Sequence, residues 1–265
     1  MLLEDKNILI MGGSGAIGAA AAKVFAREGA RLILVARDRQ RLELTADTVR
    51  ALGAKVETFV ADALDPAATE AAVAAAADRV GPIDVLVNAT SFMHDQGTFI
   101  DGLTLADFMH PVETFLPALF NSCKAVLPYM DASRGGVILT LSTPAGRTAT
   151  AGHLGYTVTC AGVEAFSRVL AAELGPRNIR VVCLAPHAIA DAPRAGSYTA
   201  GLFAPKAAAM GLSVDDWLAG AAQSTMLGRL PTLEDVAETA AFIVSSRARP
   251  MTASYINLTA GAIPE

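Results

Sequence analysis

The chain has 265 residues, of which 52% are hydrophobic and 18% charged, and its formal net charge is −5. This length is enough for one large α/β domain with a substantial core, whereas the acidic balance without any basic run argues against a nucleic-acid partner. No apolar stretch reaches the ~18 residues of a membrane span, and the first residues lack a signal-peptide pattern, so we expect a cytoplasmic protein that does not bind membranes.

A glycine-rich turn opens the chain. The apolar run over residues 8–11 predicts a buried strand, and the alanine-rich stretch from residue 19 favours a helix. Between them lies Gly13-x-Gly15-x-x-Gly18. Residues without Cβ let backbone N–H groups approach a pyrophosphate, and the helix N-terminus adds a favourable dipole. We predict a phosphate-cradling turn of a dinucleotide site, against the alternative of an ordinary glycine-rich connection.

The rest of the chain alternates between apolar strands and helical patterns. Strands are predicted over residues 32–36, 56–60, 85–88, 137–142, 180–185 and 253–258. Helices are predicted over residues 38–52, 65–80, up to 127–130, 156–174 and 232–245, the last with Thr232 and Asp235 as a capping box. The pattern indicates one domain over residues 1–265, a doubly wound parallel sheet of about seven strands with helices on both faces.

Ligands of such sheets bind outside the carboxyl ends of the strands. The residues predicted there are Gly12 to Gly18, Arg37, Asp62, Asn88, Ser142 and Pro186. Residues 188–227 contain several prolines and glycines, and long irregular segments of this kind are commonly lids or binding loops. This segment carries a set of large apolar side chains that either wall a substrate site or pack a short amphipathic helix. They are Leu202, Phe203, Met210, Trp217 and Met226.

The cysteines and histidines give no sign of a metal site. The three cysteines are odd in number and widely spaced, which predicts reduced thiols rather than disulfides or zinc ligands. The four histidines lack ligand spacing. We therefore predict no metal.

Several motifs taken together resemble the short-chain dehydrogenase/reductase family over essentially the whole chain. Gly12, Ala16 and Gly18 stand in the glycine places of its first turn, and Tyr156 follows Thr143 at the spacing of its serine and tyrosine. Residues 84–88, 179–186, 228–243 and 252–261 are similar to its later strands, turns and helix. The resemblance implies a Rossmann-type fold, an NAD(P)-binding oxidoreductase with a small-molecule substrate, and a homo-oligomer, either a tetramer or a dimer.

The end of the second strand bears on the choice of cofactor. An acidic residue there would accept hydrogen bonds from a ribose 2′-hydroxyl, but this sequence has Ala36 followed by Arg37. A guanidinium suits a 2′-phosphate, so NADP(H) is predicted, with a solvated surface arginine as the alternative. Asp62 would meet the adenine or cap a turn. The cofactor-binding residues implied by the resemblance are Gly12, Ser14, Gly15, Ile17, Arg37, Asp62, Ala63, Asn88, Pro186, His187 and Ile189.

The catalytic positions depart from the family. Tyr156 is kept, but Cys160 stands where the family has a lysine that lowers the tyrosine pKa. The serine position is Thr143, preceded by Ser142, and the asparagine position is Phe115 in a helix that prolines should disturb. The family's Asn-Asn-Ala-Gly and Pro-Gly motifs are replaced at residues 88–91 and 186–187.

Three interpretations remain open from these departures. In the first, Tyr156 is the acid in the reaction of a carbonyl compound or an alcohol, and Thr143 and Ser142 assist it. His153 or His187 either provides a charge near neutral pH or is a polar residue that only lines a loop. Alternatively, hydride transfer serves an activated double bond or an imine. In the third interpretation, the chain is a non-redox NADP(H)-binding protein. His153 and Phe92 are predicted to contact a small apolar or aromatic substrate.

Overall fold

A parallel seven-stranded sheet organises the protein, for which a computed structural model describes residues 1–263. The strand order is β3-β2-β1-β4-β5-β6-β7, which confirms the predicted fold class. The strands are β1 (Asn7–Met11), β2 (Arg31–Ala36), β3 (Val56–Val60), β4 (Val85–Asn88), β5 (Gly136–Leu141), β6 (Ile179–Pro186) and β7 (Ser254–Leu258). Residues 264–265, the end of the predicted domain, lie outside the described residues.

Helices cover both faces of this sheet. They are α1 (Ala16–Arg27), α2 (Arg39–Ala51), α3 (Pro66–Val80), α4 (Leu105–Val126), α5 (Leu154–Leu174), α6 (Thr199–Ala209), α7 (Val214–Ala222) and α8 (Leu233–Val244). One buried cluster joins α1, α2 and α8 to the sheet, and a second joins α3, α4 and α5 to its other face. Over residues 1–263, none of these helices combines the length and the apolar character that crossing a bilayer requires.

The strand order places the ligand crevice at β1. Its last residue, Met11, pairs with Val35 of β2 on one side and with Asn88 of β4 on the other. The chain crosses from one half of the sheet to the other at this strand, and the carboxyl ends of the three strands lie side by side. In doubly wound sheets, this switch point is where ligands bind.

The prediction that prolines disturb helix α4 is wrong. The helix runs unbroken from residue 105 to 126 with Pro111 and Pro117 inside. Each internal proline removes a hydrogen bond and costs roughly 3 kcal/mol. The apolar side of α4, including Leu119 and Val126, is buried in the core cluster on this face. Burial of this side offsets the cost, so packing outweighs the local preference.

The segment predicted to be a loose binding loop, residues 188–227, is largely helical. It contains α6 and α7, which pack on each other through Leu202, Phe203 and Leu218. The rings of Phe203 and Trp217 lie 4.8 Å apart. The alternative of amphipathic helix packing is therefore realised for Phe203 and Trp217, while both residues also line a cavity. We call α6 and α7 the lid.

Candidate active site

Two adjoining cavities form one cleft over the carboxyl ends of the strands. The first, of about 470 Å³, lies at the ends of β1, β2 and β3, and the second, of about 540 Å³, extends beneath the lid. Both are lined by Gly15, Ala16 and Thr90, so they meet across the glycine turn. We call them the Arg37 cavity and the Tyr156 cavity.

The glycine turn has a backbone that side chains would obstruct. Gly12 has φ +80°, and a Cβ on it would lie 2.6 Å from the carbonyl oxygen of Ala89. Helix α1 then starts at Ala16, and its N-cap residue, Gly15, has no side chain that could cap the helix. The first N–H groups of α1 therefore have no side-chain cap, which is the condition that an anion-binding helix N-terminus needs.

Arg37 stands at the outer end of its cavity. Its side chain is 61% exposed, and its Nη1 lies 3.8 Å from Oδ2 of Asp62. The guanidinium carbon is 5.7 Å from the ring centre of Phe92. Asp62 also accepts a hydrogen bond from the N–H of Leu64 at 3.0 Å, so it holds the turn after β3 while facing Arg37. A loosely held cation thus borders the cavity.

A second arginine near this cavity was not singled out from the sequence. The Nη2 of Arg41 lies 3.4 Å from the carbonyl oxygen of Ser14 and 3.2 Å from that of Gly196. The carboxylate of Asp38, which also lines the cavity, accepts the N–H of Arg41 at 3.0 Å as the cap of α2. Position on the first turn of α2 brings Arg41 to the cleft, and only the folded turn reveals this.

The structure separates the predicted site residues into two groups. Those that line the Arg37 cavity are Gly12, Ser14, Gly15, Arg37, Asp62, Ala63 and Phe92. Those that line the Tyr156 cavity are Gly15, Ile17, Ser142, Thr143, His153, Tyr156, Pro186, His187 and Ile189. Asn88 lines neither cavity: its Oδ1 accepts a hydrogen bond from the Thr90 hydroxyl at 2.7 Å. Its Nδ2 is buried and has no partner among residues 1–263.

Tyr156 lies in an aromatic enclosure. Only 8% of it is exposed, and the ring of His94 stacks on it at 3.9 Å with an interplanar angle of 12°. The ring of Phe115, in the family's asparagine position, meets it edge-on at 6.0 Å. Burial raises the pKa of Tyr156 well above its usual value, and Cys160 and Tyr198 raise it further. Tyr156 is therefore a neutral phenol at physiological pH.

Cys160 lies beside two hydroxyl residues in the turn after β5, Ser142 and Thr143. Its Sγ is 3.4 Å from Oγ1 of Thr143, and its carbonyl oxygen accepts a hydrogen bond from Ser142 at 3.3 Å. The residue is 4% exposed, and burial raises the pKa of its thiol. A neutral thiol occupies the position at which the family has a cation, so residue 160 brings no positive charge to stabilise a Tyr156 phenolate. The hydrogen bond between Tyr156 and Thr143 favours the phenolate, but burial outweighs it.

Three polar side chains that the sequence did not single out join the predicted His153 in a cluster at the lid. We call His94, Gln96, His153 and Lys206 the Lys206 cluster. Lys206 Nζ lies 2.7 Å from Oε1 of Gln96 and 3.3 Å from Nε2 of His153, and Nε2 of Gln96 lies 2.9 Å from Nε2 of His94. The residues come from two loops and α6, and no spacing in the sequence signals their meeting.

The two loops of this cluster cross through glycine. The N–H of Gly97 donates to the carbonyl oxygen of Gly152 at 2.7 Å. Gly152 has φ +74°, and a Cβ there would lie 2.8 Å from the carbonyl carbon of Gly97. The loops that carry Gln96 and His153 thus meet backbone to backbone at this point. Among the described residues 1–263, no three His, Cys, Asp or Glu side chains gather as metal ligands.

Comparisons with known proteins agree with this geometry. A family profile described as short chain dehydrogenase matches residues 6–200. The chain is 29% identical to the 3-oxoacyl-(acyl-carrier-protein) reductase FabG of Chlamydia pneumoniae, with 98% of this chain and 97% of that protein covered. It is also 29% identical to the short-chain reductase protein NovJ of Streptomyces niveus, over 97% and 94%.

A solved structure is similar in the same way. The chain superimposes on a short-chain dehydrogenase/reductase from Burkholderia xenovorans with a TM-score of 0.85 and 29% identity. That likeness covers 98% of this chain and 97% of the other. It therefore concerns the whole fold and not the glycine turn alone.

Proposed function

Because this chain belongs to the short-chain dehydrogenase/reductase family, we propose that it is an NADP(H)-dependent oxidoreductase with a non-standard active site. The substrate is a small apolar or aromatic carbonyl compound or alcohol, or an imine or enone. The observation that carries the proposal is the shared cleft: Tyr156 and Thr143 line the cavity that adjoins the glycine turn. Its apolar walls include Phe115, Phe203 and Trp217, which favours an apolar substrate.

The residues around the cleft fit NADP(H). The open turn at Gly12 and the N-terminus of α1 would hold the diphosphate, since neither presents a side chain to it. Arg37 would pair with the 2′-phosphate. The preceding residue is Ala36 and not an acid that would repel a phosphate, and the contact between Arg37 and Asp62 is long at 3.8 Å. When bound, the cofactor supplies or accepts a hydride.

The state of Tyr156 favours reduction over oxidation. The phenol carries its proton at neutral pH, so the proton that a substrate gaining a hydride at carbon must receive on its oxygen or nitrogen is in place. The raised pKa makes the phenol a weaker acid, so this transfer is slow for an unactivated substrate. Thr143 would hydrogen-bond the same substrate atom, and the phenolate would then regain a proton from solvent. Alcohol oxidation would instead need the phenolate as a base, which this environment disfavours. The relatives named as reductases support the same direction.

A second function, as a non-redox NADP(H)-binding protein, is favoured by one observation. The stacked ring of His94 and the edge of Phe115 cover Tyr156, so little of its surface is open to a substrate. A protein of this kind would keep the Arg37 cavity and use the Tyr156 cavity for binding alone.

We also propose that the protein is a cytoplasmic homo-oligomer, either a tetramer or a dimer. The outer sides of α4 and α5 carry exposed apolar side chains, which a second copy would cover. They are Leu105, Phe120, Leu154, Val158 and Val169. Sedimentation of the purified chain measures this state, and a monomer at micromolar concentration would contradict it.

The test of the enzyme is NADPH consumption with a panel of carbonyl compounds, imines and enones, followed by absorbance. We expect slow turnover of simple ketones and faster turnover of activated substrates, because the tyrosine lacks a cation beside it. Tyr156→Phe should lower turnover by about 10²-fold or more, the usual contribution of a proton donor.

Cys160→Lys is the companion variant, with Cys160→Ser as its matched control. A lysine beside Tyr156 should lower the tyrosine pKa and raise alcohol oxidation, whereas serine should not. If the wild type binds NADPH but consumes it with no compound of the panel, the result contradicts the proposed enzyme and favours the non-redox binding function.

A further inference from the structure

We propose that Lys206 is an anion-recognising residue of the Tyr156 cavity, and that the substrate carries one carboxylate besides its reducible group. The reducible group rests on the proposed function, whereas the carboxylate site stands on the surroundings of Lys206 and can be tested without any turnover.

The ammonium group of Lys206 is held by neutral partners. It donates to the amide oxygen of Gln96 at 2.7 Å and lies 3.3 Å from Nε2 of His153. Within residues 1–263, the structure shows no ion pair of this lysine. Asp95 acts on it only at longer range, and its Oδ2 accepts the hydroxyl of Thr98 at 2.7 Å. An ammonium has three donors, so one remains for a ligand.

The hydrogen bonds of the cluster fix both histidines as neutral. Nδ1 of His153 lies 3.0 Å from the carbonyl oxygen of Ala151, so it must carry the proton and leave Nε2 to accept from Lys206. Likewise, Nδ1 of His94 donates to the carbonyl oxygen of Phe92 at 2.9 Å, and its Nε2 accepts from Gln96. Burial lowers the pKa of both rings. The cluster therefore contains one positive charge and no negative one.

The position of this charge suits a ligand with two different ends. Lys206 belongs to α6 of the lid and lines the cavity, which the hydroxyl residues Thr148 and Thr150 also line. The remaining walls are apolar, with Phe203 and Trp217 among them. Burial lowers the pKa of Lys206, a cost that a carboxylate in contact with it would reverse. One cation balances a carboxylate, whereas a phosphate dianion would keep an uncompensated charge.

The cavity contains its own reporter. Trp217 is the only tryptophan of the chain and lines the same cavity, so its fluorescence should respond to a ligand there. We would titrate the protein, with NADP⁺ present, with phenylacetate, phenylacetamide and benzyl phosphate. These probes share an aryl group and differ in the charge of the other end. None of them is reduced, so the readout does not depend on hydride transfer.

The variants are Lys206→Met, Lys206→Arg and the matched control Lys23→Met, which changes an exposed lysine of α1 outside both cavities. We expect phenylacetate to bind at least about tenfold more tightly than phenylacetamide in the wild type and in Lys23→Met. The preference should vanish in Lys206→Met and persist in Lys206→Arg, where the charge is kept.

Three outcomes would overturn the proposal. Equal affinities of the acid and the amide in the wild type would show that no anion site exists. Survival of the preference in Lys206→Met would show that another residue binds the carboxylate. Tighter binding of benzyl phosphate than of phenylacetate would show that the site prefers a dianion. Absence of NADPH consumption alongside a Lys206-dependent carboxylate preference would instead contradict only the proposed enzyme.

Discussion

At the scale of single residues, the chemistry of Tyr156 depends on what surrounds it. The phenol is enclosed by His94, Phe115 and the neutral thiol of Cys160, and each of these neighbours favours the uncharged form. A tyrosine in this state can give a proton but can hardly take one at neutral pH. The side chains around one hydroxyl therefore set the protonation state in which the proposed enzyme holds its tyrosine.

His94 makes the stability of the protein depend on pH. Burial lowers its pKa from 6.5 to about 4. Between these values the unfolded chain binds more protons than the folded one, so stability falls as the pH drops from about 6.5 to about 4. The contribution of this one residue is about 3 kcal/mol. His94→Phe, which keeps a ring against Tyr156, should reduce the loss by that amount in urea unfolding at several pH values.

His110 provides the matched control, because it is an exposed histidine on α4. His110→Phe shows how far the same replacement at an exposed position changes the slope of stability against pH. A loss in His94→Phe as steep as in the wild type would contradict the prediction, because it would show that His94 does not cause the pH dependence. The remaining loss in either variant is assigned to the half-buried histidines His153 and His187, since burial also lowers the pKa of both rings.

Some of the site residues were readable from the sequence and others were not. The change at Cys160 is visible because its position is counted from Tyr156 along one helix. The stacking of His94 on that tyrosine is invisible, since it depends on the path of an irregular loop. Lys206 was not predicted as a site residue for a related reason: its helix, α6, lies in the segment that was predicted to be a loop. Spacing along a regular element carries over into space, whereas spacing in loops does not.

At the scale of elements, the lid and α8 differ in how they are anchored. Helix α8 packs on the sheet, and its N-terminus is closed by the Thr232–Asp235 capping box that the sequence predicted. Helix α7 is capped by Ser213 but packs in a small cluster with α6. The proline and glycines of the lid hid its helices from sequence reasoning, because Pro205 lies inside α6 and Gly211 ends the turn after it.

The two caps should therefore have different effects when they are removed. Thr232→Ala should lower global stability by about 1 kcal/mol, because unfolding of α8 exposes the core of one sheet face. Ser213→Ala should leave the thermal midpoint nearly unchanged and speed hydrogen exchange in α7 alone, because the lid opens locally. Thermal unfolding and hydrogen exchange of the two variants check this. An equal loss of global stability in both would show that the lid unfolds together with the sheet.

At the scale of the whole molecule, the alternation of strands and helices was enough to predict the sheet. Parallel strands buried on both faces read as continuous apolar runs, and crossover handedness leaves few arrangements for them. The placement of Arg37, Asp62 and the glycine turn at one edge follows from that topology, and the structure shows it. The lid could not be placed in the same way, since no strand register fixes it to the sheet.

Cofactor binding should be visible as stability of the whole fold. NADPH at about a hundredfold excess over its dissociation constant should add about 2.7 kcal/mol, which raises the melting temperature by ~5–10 °C. NADH should raise it less, because it lacks the phosphate that Arg37 would hold. Arg37→Gln should narrow this difference, while Arg39→Gln, a neighbouring exposed arginine, should not. Equal shifts with both cofactors in the wild type would contradict the NADP(H) preference.

The crossing of Gly97 and Gly152 has a consequence for the breadth of substrates. Backbone meets backbone there, with the N–H of Gly97 2.7 Å from the carbonyl oxygen of Gly152, so no side chain separates the two loops that border the Tyr156 cavity. Even one methyl group at residue 152 would act as a wedge between them and enlarge the aperture. Tolerance for bulk would then change although every side chain that meets the substrate stayed the same. The size selectivity of the proposed enzyme would then depend partly on two residues that have no side chain, Gly97 and Gly152.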